Sequence, residues 1–342
     1  MEMTSNHKKK RVLKGLTGIL FLTFFLIGII GCSNDSQTTA AQSSAQKGSS
    51  DSSVLRIGYV GSSKDNIPTG VEGWAIQKKL LQQELKKKGI EKFEFHAFPN
   101  GPPLNEAIAA GELDIGILGD TPAIVGKSNG LKTKLISQTS INSNVWLITP
   151  KNGVKSVEEL KGKTVATQLG SYMYRYLIGL LKEKGLDKDV KIVNMLASDA
   201  EAALERKDIA AYAFPTNSGP LIKSKGFPVI DEAKDHPELL GSSVVVITDD
   251  YLSKYPDLPK IWNDVRKQAL EDLLKNPEGF YQFQSEQVGY PVEVMKDSLP
   301  LDNLKLDPLS EEGIKLLEGT KKFLVEEEFA KKDFNLKDWI AK

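Results

Sequence analysis

The sequence predicts an α/β protein with largely parallel sheets, arranged in two lobes. From Val54 onward, short β-rich runs alternate with amphipathic helical runs, which is the pattern of parallel strands joined by helices. After Thr248 the chain turns mostly helical. The roughly 290 residues from Val54 to the end are enough for two domains of ordinary size.

The N-terminus has the layout of a signal peptide that ends at the only cysteine of the chain, Cys32. Five Lys or Arg residues lie before position 15, and the seventeen residues from Gly15 to Gly31 are uncharged and mostly apolar. That run is short for a membrane-spanning helix, which needs about 20 residues. We predict a signal peptide over residues 1–31, with an uncleaved anchor helix as the alternative. Both predict that the rest of the chain is exported and held at a membrane.

Residues 32–53 are predicted to form a flexible linker. Ser33 to Ser53 is rich in Ser, Gln, Ala and Thr and has no aromatic or large aliphatic residue, so it cannot bury enough surface to fold. Five of the 45 Lys and Arg residues and one of the 45 Asp and Glu residues precede Cys32, which leaves the remainder a net charge of −4. A weakly acidic body argues against nucleic acid as a partner.

The first series of elements starts with a strand at 55–60. A helix is predicted over Trp74 to Lys88, because Trp74, Leu81 and Leu85 recur at helical spacing and Gly89 ends the run. The series continues with a strand at 93–98, a helix at 104–110, a buried strand at 114–118 and strands at 132–138 and 145–149.

A second series follows the same order. It comprises a helix at 157–160, strand 164–168, helix 172–184, strand 190–194, helix 199–206 and strand 209–213, and a further strand follows at 244–248. We expect two similar lobes with chain crossings near Thr149 and Ser242. Lobe 1 would then comprise residues 54–148 plus 243–342, and lobe 2 residues 149–242. Two crossings place a cleft between the lobes, where α/β sheets bind ligands at strand ends.

One strand–turn–helix motif in each lobe predicts a helix N-terminus that faces this cleft. In lobe 1 Thr121 is a good N-cap residue, and it follows Asp120. In lobe 2 Ser171 caps the helix, Gly170 lets backbone approach, and Gln168 ends the strand with an amide. Helix N-termini carry free N–H groups and partial positive charge, which suit sulfonate, nitrate or phosphonate oxygens. We expect a two-sided anion clamp, with ordinary capped helices as the alternative.

Residues beside these motifs are candidates for the rest of a pocket. Tyr172 could form a wall of the cleft, whereas Tyr176 is expected in the core and Arg175 on a solvated helix face. The loop after the strand at 209–213 offers an aromatic and hydrogen-bonding side chains, namely Phe214, Thr216 and Asn217. A plain turn into the next helix explains this loop equally well.

Several function classes lack the residues that they need. The segments ending at Lys127 and Lys163 mimic a phosphate-binding P-loop but have the wrong glycine spacing, and no dinucleotide-binding glycine motif occurs. After Cys32 only His96 and His236 remain as nitrogen ligands for zinc, and we expect both to be structural or solvated. No nucleophile, base and oxyanion hole can be assembled. We therefore predict no enzyme activity, no cofactor and no metal.

The chain resembles the aliphatic-sulfonate/taurine/nitrate family of ABC-transporter substrate-binding proteins, and most closely its alkanesulfonate-binding branch. The resemblance rests on segments at 98–102, 111–116, 119–122, 157–163, 170–171, 185–186 and 199–200 and on the opening Arg56-Ile57-Gly58-Tyr59. It covers roughly residues 54–255, and the block at 98–122 is the most specific part. It implies a two-lobed periplasmic-binding-protein fold of type II, which closes by a hinge and delivers a small anion to an ABC permease. Relatives that make the thiamine pyrimidine need a cysteine-rich motif, which this chain lacks.

The resemblance also implies a set of pocket residues. Carried over, the ligand would meet Ser62 and Ser63 of the first loop, then Asp120, Thr121, Gln168, Ser171 and the loop at Phe214. We expect its organic tail to contact Tyr172, Phe214 and Trp74. Asp120 would repel an anion, so we expect it to point toward a backbone or basic partner, or toward the amine of a taurine-like ligand. Two tryptophans and an acid of the family's pattern are replaced at 209–216, which leaves the exact ligand open.

The segment Ile29-Ile30-Gly31-Cys32 resembles the lipobox of bacterial lipoproteins. This resemblance implies cleavage before Cys32 and a lipid on its sulfur, so that the protein sits on the extracytoplasmic face of the cell membrane. We expect it to act as a monomer whose partners are a small sulfonate-like anion, the permease subunits and the membrane.

Overall fold

The computed structural model describes residues 53–342, and the predictions for the signal peptide, Cys32 and residues 33–52 lie outside this range. Within it, the chain forms two five-stranded sheets with helices packed on both faces of each sheet. None of the helices in this range combines the length and the apolar character that a membrane span requires.

The elements alternate between strand and helix through most of the chain. The first sheet contains β1 (Val54–Val60), β2 (Lys92–Phe98), β3 (Ile115–Gly119), β4 (Thr133–Ser143) and β10 (Gly241–Thr248). The second sheet contains β5 (Trp146–Ile148), β6 (Thr164–Thr167), β7 (Lys191–Asn194), β8 (Ala211–Phe214) and β9 (Val229–Glu232). The helices up to β10 are α1 (Gly70–Gln77), α2 (Leu80–Lys86), α3 (Gly101–Ala109), α4 (Asp120–Ser128), α5 (Tyr172–Glu183), α6 (Ala197–Arg206) and α7 (Ser218–Ser224). After β10 come α8 (Asp249–Lys254), α9 (Leu258–Lys275), α10 (Pro277–Val288), α11 (Val292–Ser298), α12 (Glu311–Glu326) and α13 (Leu336–Trp339).

The two sheets share one topology, in the orders β2-β1-β3-β10-β4 and β7-β6-β8-β5-β9. Three strands of each sheet pair in parallel, as expected for strands joined by helices. The strand that enters from the other lobe, β10 or β5, pairs antiparallel with both of its neighbours. The expectation of largely parallel sheets is therefore only half right, because each chain crossing inserts a reversed strand.

The chain passes between the lobes twice. The predicted first crossing near Thr149 is placed too late, because β5 pairs with β8 and β9 of the second sheet. The first crossing lies between Ser143 and Trp146, and the second lies between Glu232 and Gly241, where two short 3-10 helices replace regular structure. Residues 145–148 thus belong to lobe 2.

The predicted helix from Trp74 to Lys88 is two helices, α1 and α2. The chain breaks at Lys79, which adopts a left-handed conformation with φ of 60°. Trp74 lies in the core of lobe 1, where its indole N–H donates to Asp272 at 2.8 Å and its ring packs edge-on against Phe280 and Phe283. The helices after β10 therefore complete lobe 1, because β10 returns the chain to the sheet of that lobe.

Candidate functional site

The two predicted helix N-termini meet across the lobes. Helix α4 starts directly after β3 in lobe 1, and a loop of four residues separates α5 from β6 in lobe 2. Because parallel strands end at the same edge of a sheet, the loops that follow β1, β3, β6 and β8 open toward the space between the lobes. The clearest contact between the lobes here joins Asp120 and Thr121 of α4 to Arg175 of α5.

The Asp120 carboxylate is fully buried and fully hydrogen-bonded. Its Oδ1 accepts from the N–H and hydroxyl of Thr121, and its Oδ2 accepts from the N–H of Ser242 at 2.8 Å and from its hydroxyl at 3.1 Å. The Arg175 guanidinium lies 3.9 Å from Oδ2. Asp120 therefore points toward backbone and a basic partner, which is the first of the two orientations that the sequence suggested.

Arg175 does not lie on a solvated helix face, so that expectation is wrong. Its side chain is completely buried, and its nitrogens donate to Thr121 Oγ1 at 3.3 Å and to the carbonyls of Glu238 and Leu240 at 3.2 and 2.6 Å. Burial lowers the pKa of Arg175, and the charge of Asp120 opposes that shift. The guanidinium ties α5 to the second chain crossing, and its charge is matched within the protein.

Thr121 does not cap α4. The helix begins one residue earlier, at Asp120, with Gly119 in the N-cap position. The Thr121 hydroxyl donates to Asp120 and accepts from Arg175, so its proton is already used inside the protein. In this geometry Thr121 cannot donate to an anion, and the lobe 1 half of the predicted clamp is neutralised by a carboxylate of the protein itself.

Helix α5 keeps the N-terminus that the sequence predicts. The Ser171 Oγ accepts from the N–H of Tyr174 at 3.2 Å, as an N-cap should, and it donates to the carbonyl of Gln168. Among hydrogen bonds between described residues, none uses the N–H groups of Gly170, Ser171 or Tyr172. These consecutive donors at the positive end of a 12-residue helix suit an anion.

Gln168 and Gly170 lie at direct contacts between the lobes. The Gln168 side-chain amide donates to the carbonyl of Pro99 at 3.0 Å. Gly170 has φ of +74°, and a Cβ added there would lie 3.0 Å from Cγ of Pro102. Glycine is therefore required at this position both by its backbone conformation and by the close approach of lobe 1.

Tyr172 lies where α5, β3 and the second crossing converge. Its hydroxyl accepts from the N–H of Thr216 at 3.0 Å, and burial raises its pKa to about 12. A Cβ at Gly241 would lie 2.5 Å from the Tyr172 ring. Asn217, at φ of 68°, donates its N–H to Ser298 at 3.0 Å, so the loop after β8 is also tied to lobe 1.

Three further predicted pocket residues serve the fold instead. Phe214 is fully buried, and its ring lies 4.4 Å from that of Tyr212 in the core of lobe 2, so its prediction as a pocket wall is wrong. Trp74 is excluded as a pocket wall in the same way by its place in the core of lobe 1. Ser63 exchanges hydrogen bonds with the backbone of Ile67, which shapes the first loop. Ser62 is exposed.

A cavity of about 330 Å³ adjoins the predicted clamp. Lobe 1 contributes α3 and α4, and lobe 2 contributes the first turn of α5, where Gly170, Tyr174 and Arg175 line it. Most of the wall is apolar, and Leu324 and Phe329 cover the side formed by the C-terminal region. Its size is at the lower end of ligand pockets.

Sequence reasoning missed two residues that organise this region, Ser242 and Arg175. Ser242 is fully buried at the start of β10, and both its N–H and its hydroxyl hold Asp120. The pairing of Asp120 with Ser242 spans 122 positions in the chain, and helix periodicity carries no information about such a partner. A signal for Arg175 was present, since it stands one turn after the capping Ser171 on an otherwise apolar face.

Comparisons with known proteins identify the family to which this two-lobed chain belongs. The sequence model of the NMT1/THI5-like family matches residues 74–279. The chain belongs to this family, which confirms the relationship inferred from its motifs. It is 26% identical over 262 residues to an aliphatic sulfonates-binding protein of Bacillus subtilis (strain 168), an alignment that covers 68% of this chain and 77% of the relative. It is also 26% identical over 217 residues to the taurine-binding periplasmic protein of Escherichia coli (strain K12), covering 62% and 68%.

Solved structures confirm the fold. The alkanesulfonate-binding protein SsuA from Xanthomonas axonopodis pv. citri, bound to MOPS, matches with a TM-score of 0.69 and 21% identity over 84% of this chain and 98% of that one. The desulfurization enzyme DSZB, in complex with biphenyl-2-sulfinic acid, matches with a TM-score of 0.66 and 13% identity over 84% and 96%. The type II periplasmic-binding-protein architecture is thus shared by binding proteins and an enzyme, so fold alone does not define the activity.

Proposed function

We propose that this chain is the solute-binding component of an ABC importer and that its ligand is a small organic anion with a sulfonate group. Family membership supports the class, and the names of the relatives support the ligand, since aliphatic sulfonates, taurine and MOPS all carry a sulfonate. Nitrate and phosphonates are the competing anions.

The proposal rests on the free backbone N–H groups at the start of α5. Three backbone N–H groups, those of Gly170, Ser171 and Tyr172, have no acceptor among the described residues, and they lie at the boundary between the lobes. A sulfonate has three oxygens, and hydrogen bonds from neutral donors to a charged group contribute about 1.5–3 kcal/mol each. The Asp120–Arg175 pair beside the site is already balanced and adds no net charge there, so the proposal assigns the anion to these N–H groups and the positive end of the helix.

The organic part of the ligand would use the apolar wall between the lobes. Neither Trp74 nor Phe214 is accessible for this role, since both lie in the cores. Tyr172 is half-buried at the start of α5, and the neighbouring cavity adds aliphatic and aromatic surface at Val125 and Phe329. A short alkyl chain of a few carbons matches this combination.

We further propose that the protein binds without turnover and is anchored through lipid on Cys32. The described residues include no cysteine, because the only one in the chain is Cys32. Cys32→Ala should abolish membrane attachment or leave the precursor unprocessed. Unchanged attachment and unchanged size of this variant would exclude lipid anchoring.

Calorimetry against a panel of anions tests the ligand. We expect saturable binding of alkanesulfonates or taurine at least tenfold tighter than that of nitrate, sulfate or a phosphonate of equal length. The recovered ligand should be chemically unchanged by mass spectrometry. Tighter binding of nitrate or phosphonate would overturn the sulfonate assignment, and conversion of the ligand would show an enzyme on this fold.

A further inference from the structure

A second polar site lies on the outside of lobe 2, away from the first turn of α5. Glu183 at the end of α5 and His236 and Glu238 on the second crossing come together there. One ligand atom from each, a histidine nitrogen or a carboxylate oxygen, lies within 4.8 Å of the others. His236 is mostly buried, whereas both glutamates are accessible from solvent.

A contact at Nε2 holds the imidazole of His236 in a fixed orientation. Its Nε2 lies 3.2 Å from Asp231 Oδ2, and Asp231 Oδ1 accepts from the Tyr176 hydroxyl at 2.5 Å. Tyr176 is completely buried in the core of lobe 2, so the chain Tyr176–Asp231–His236 starts from a rigid residue. Histidines that bind metals characteristically donate their second ring N–H to such a carboxylate, which leaves the other nitrogen free for the ion.

The negative charges of the carboxylates around His236 favour a bound cation. The carboxylates of Asp231, Glu183 and Glu238 all approach one imidazole, and Nδ1 faces Glu183 Oε2 at 2.8 Å. The nearby Lys184 is paired with Glu158 at 3.0 Å. A proton on Nδ1 would neutralise one of these negative charges, whereas a divalent ion would neutralise two.

We propose that Glu183, His236 and Glu238 bind a Zn²⁺ ion, with His236 Nδ1 and one oxygen from each glutamate as ligands and water completing the coordination. One imidazole with carboxylates suits zinc, whereas Ca²⁺ and Mg²⁺ prefer oxygen alone. The glutamates are exposed, so their side chains can rotate the short distance that brings all three ligand atoms to about 2.0–2.2 Å from the ion.

The ion would fasten the second crossing to α5. Glu238 and His236 lie on that crossing, and the backbone carbonyl of Glu238 already accepts from Arg175 of the same helix. Zinc would thus reinforce, from the surface, the attachment that Arg175 makes from the interior. Because zinc binds only the folded arrangement, free zinc at 100 times its Kd should lower the unfolding equilibrium constant about 100-fold.

The test measures zinc binding by competition with a fluorescent chelator on tag-free protein from residue 32 onward, with Cys32→Ser in every sample. We expect one zinc per chain, a loss of at least tenfold in affinity for His236→Asn and for Glu238→Gln, and unchanged affinity for His96→Asn. His96 is the matched control because it is the other histidine of the described residues and lies on β2 of lobe 1. Thermal unfolding with and without zinc provides the second readout, since only variants that retain the site should be stabilised.

Three outcomes would overturn the proposal. The first is no zinc bound by a folded wild type, which would mean that a protonated His236 bridges Asp231 and Glu183. The second is equal zinc affinity of the wild type and His236→Asn, and the third is Ca²⁺ binding as tight as that of zinc. Because Glu238 is exposed, the Glu238→Gln variant keeps the test valid even if His236→Asn does not fold.

Discussion

Replacing Asp120 with asparagine should destabilise the protein by about 3–5 kcal/mol. Asparagine keeps an oxygen that can accept from Thr121 but puts an NH₂ group where Oδ2 accepts from Ser242. The buried N–H of Ser242 then lacks an acceptor, which alone costs about 1–3 kcal/mol. The completely buried Arg175 also loses its carboxylate partner, and breaking a buried ion pair costs about 3–5 kcal/mol. These costs overlap, so the larger range is the expected total.

Equilibrium unfolding in urea measures this loss, with Asp187→Asn as the control for an exposed aspartate in a turn. A loss below about 1 kcal/mol for Asp120→Asn would refute the network. The variant also distinguishes the two roles considered for Asp120. Because its acceptors are used within the protein, we expect Asp120→Asn to weaken taurine and simple alkanesulfonates equally. Selective loss of taurine binding would show that Asp120 meets an amine.

Three further predictions follow from the same geometry. Gly170→Ala should weaken sulfonate binding at least tenfold in calorimetry, because its Cβ strains the backbone and pushes the lobes apart. Gly185→Ala carries similar backbone strain with open space around it and should leave affinity unchanged. Burial raises the pKa of Glu72, and the charge of Arg266 opposes that shift. The folded protein therefore favours the protonated carboxyl, so the stability that Glu72 contributes is present below pH 4 and is lost as the pH rises through its folded pKa. Urea unfolding should therefore show the stability of Glu72→Gln improving relative to wild type between pH 4 and 8, and a constant difference would contradict this. Trp74→Phe should lower stability without changing ligand affinity. A tenfold loss of affinity at unchanged stability would show instead that Trp74 lines the ligand pocket.

The fold could be predicted well from the sequence because the signals for strands and helices are local in the chain. Alternating strands and helices, and glycines at helix ends such as Gly185, mark each element independently of its partners. The same reasoning fails at Lys79, where a residue with good helix propensity adopts φ of 60° and divides one predicted helix into two. Strand β9 was not predicted, because its two apolar residues are followed by two acidic ones, which are uncommon in strands.

The site was harder to predict because its decisive contacts are distant in sequence. Ser171 as a cap and the strand–turn–helix motifs are local features, and they were found. Arg175 and Asp120 pair over 55 positions, and only the packed structure shows that this pair neutralises one half of the expected clamp. Phe214 illustrates the opposite error, since an aromatic residue at the end of a strand can face the core or the cleft with the same sequence pattern.

Amide NMR of the labelled protein during titration with an alkanesulfonate tests the central claim most directly. If the first turn of α5 holds the sulfonate oxygens, the N–H signals of Gly170, Ser171 and Tyr172 should show the largest changes and should saturate together with the calorimetric binding curve. The signal of Gly185, at the other end of the same helix, should stay nearly constant. Saturable binding with unchanged signals from Gly170 to Tyr172 would place the anion elsewhere and contradict the account.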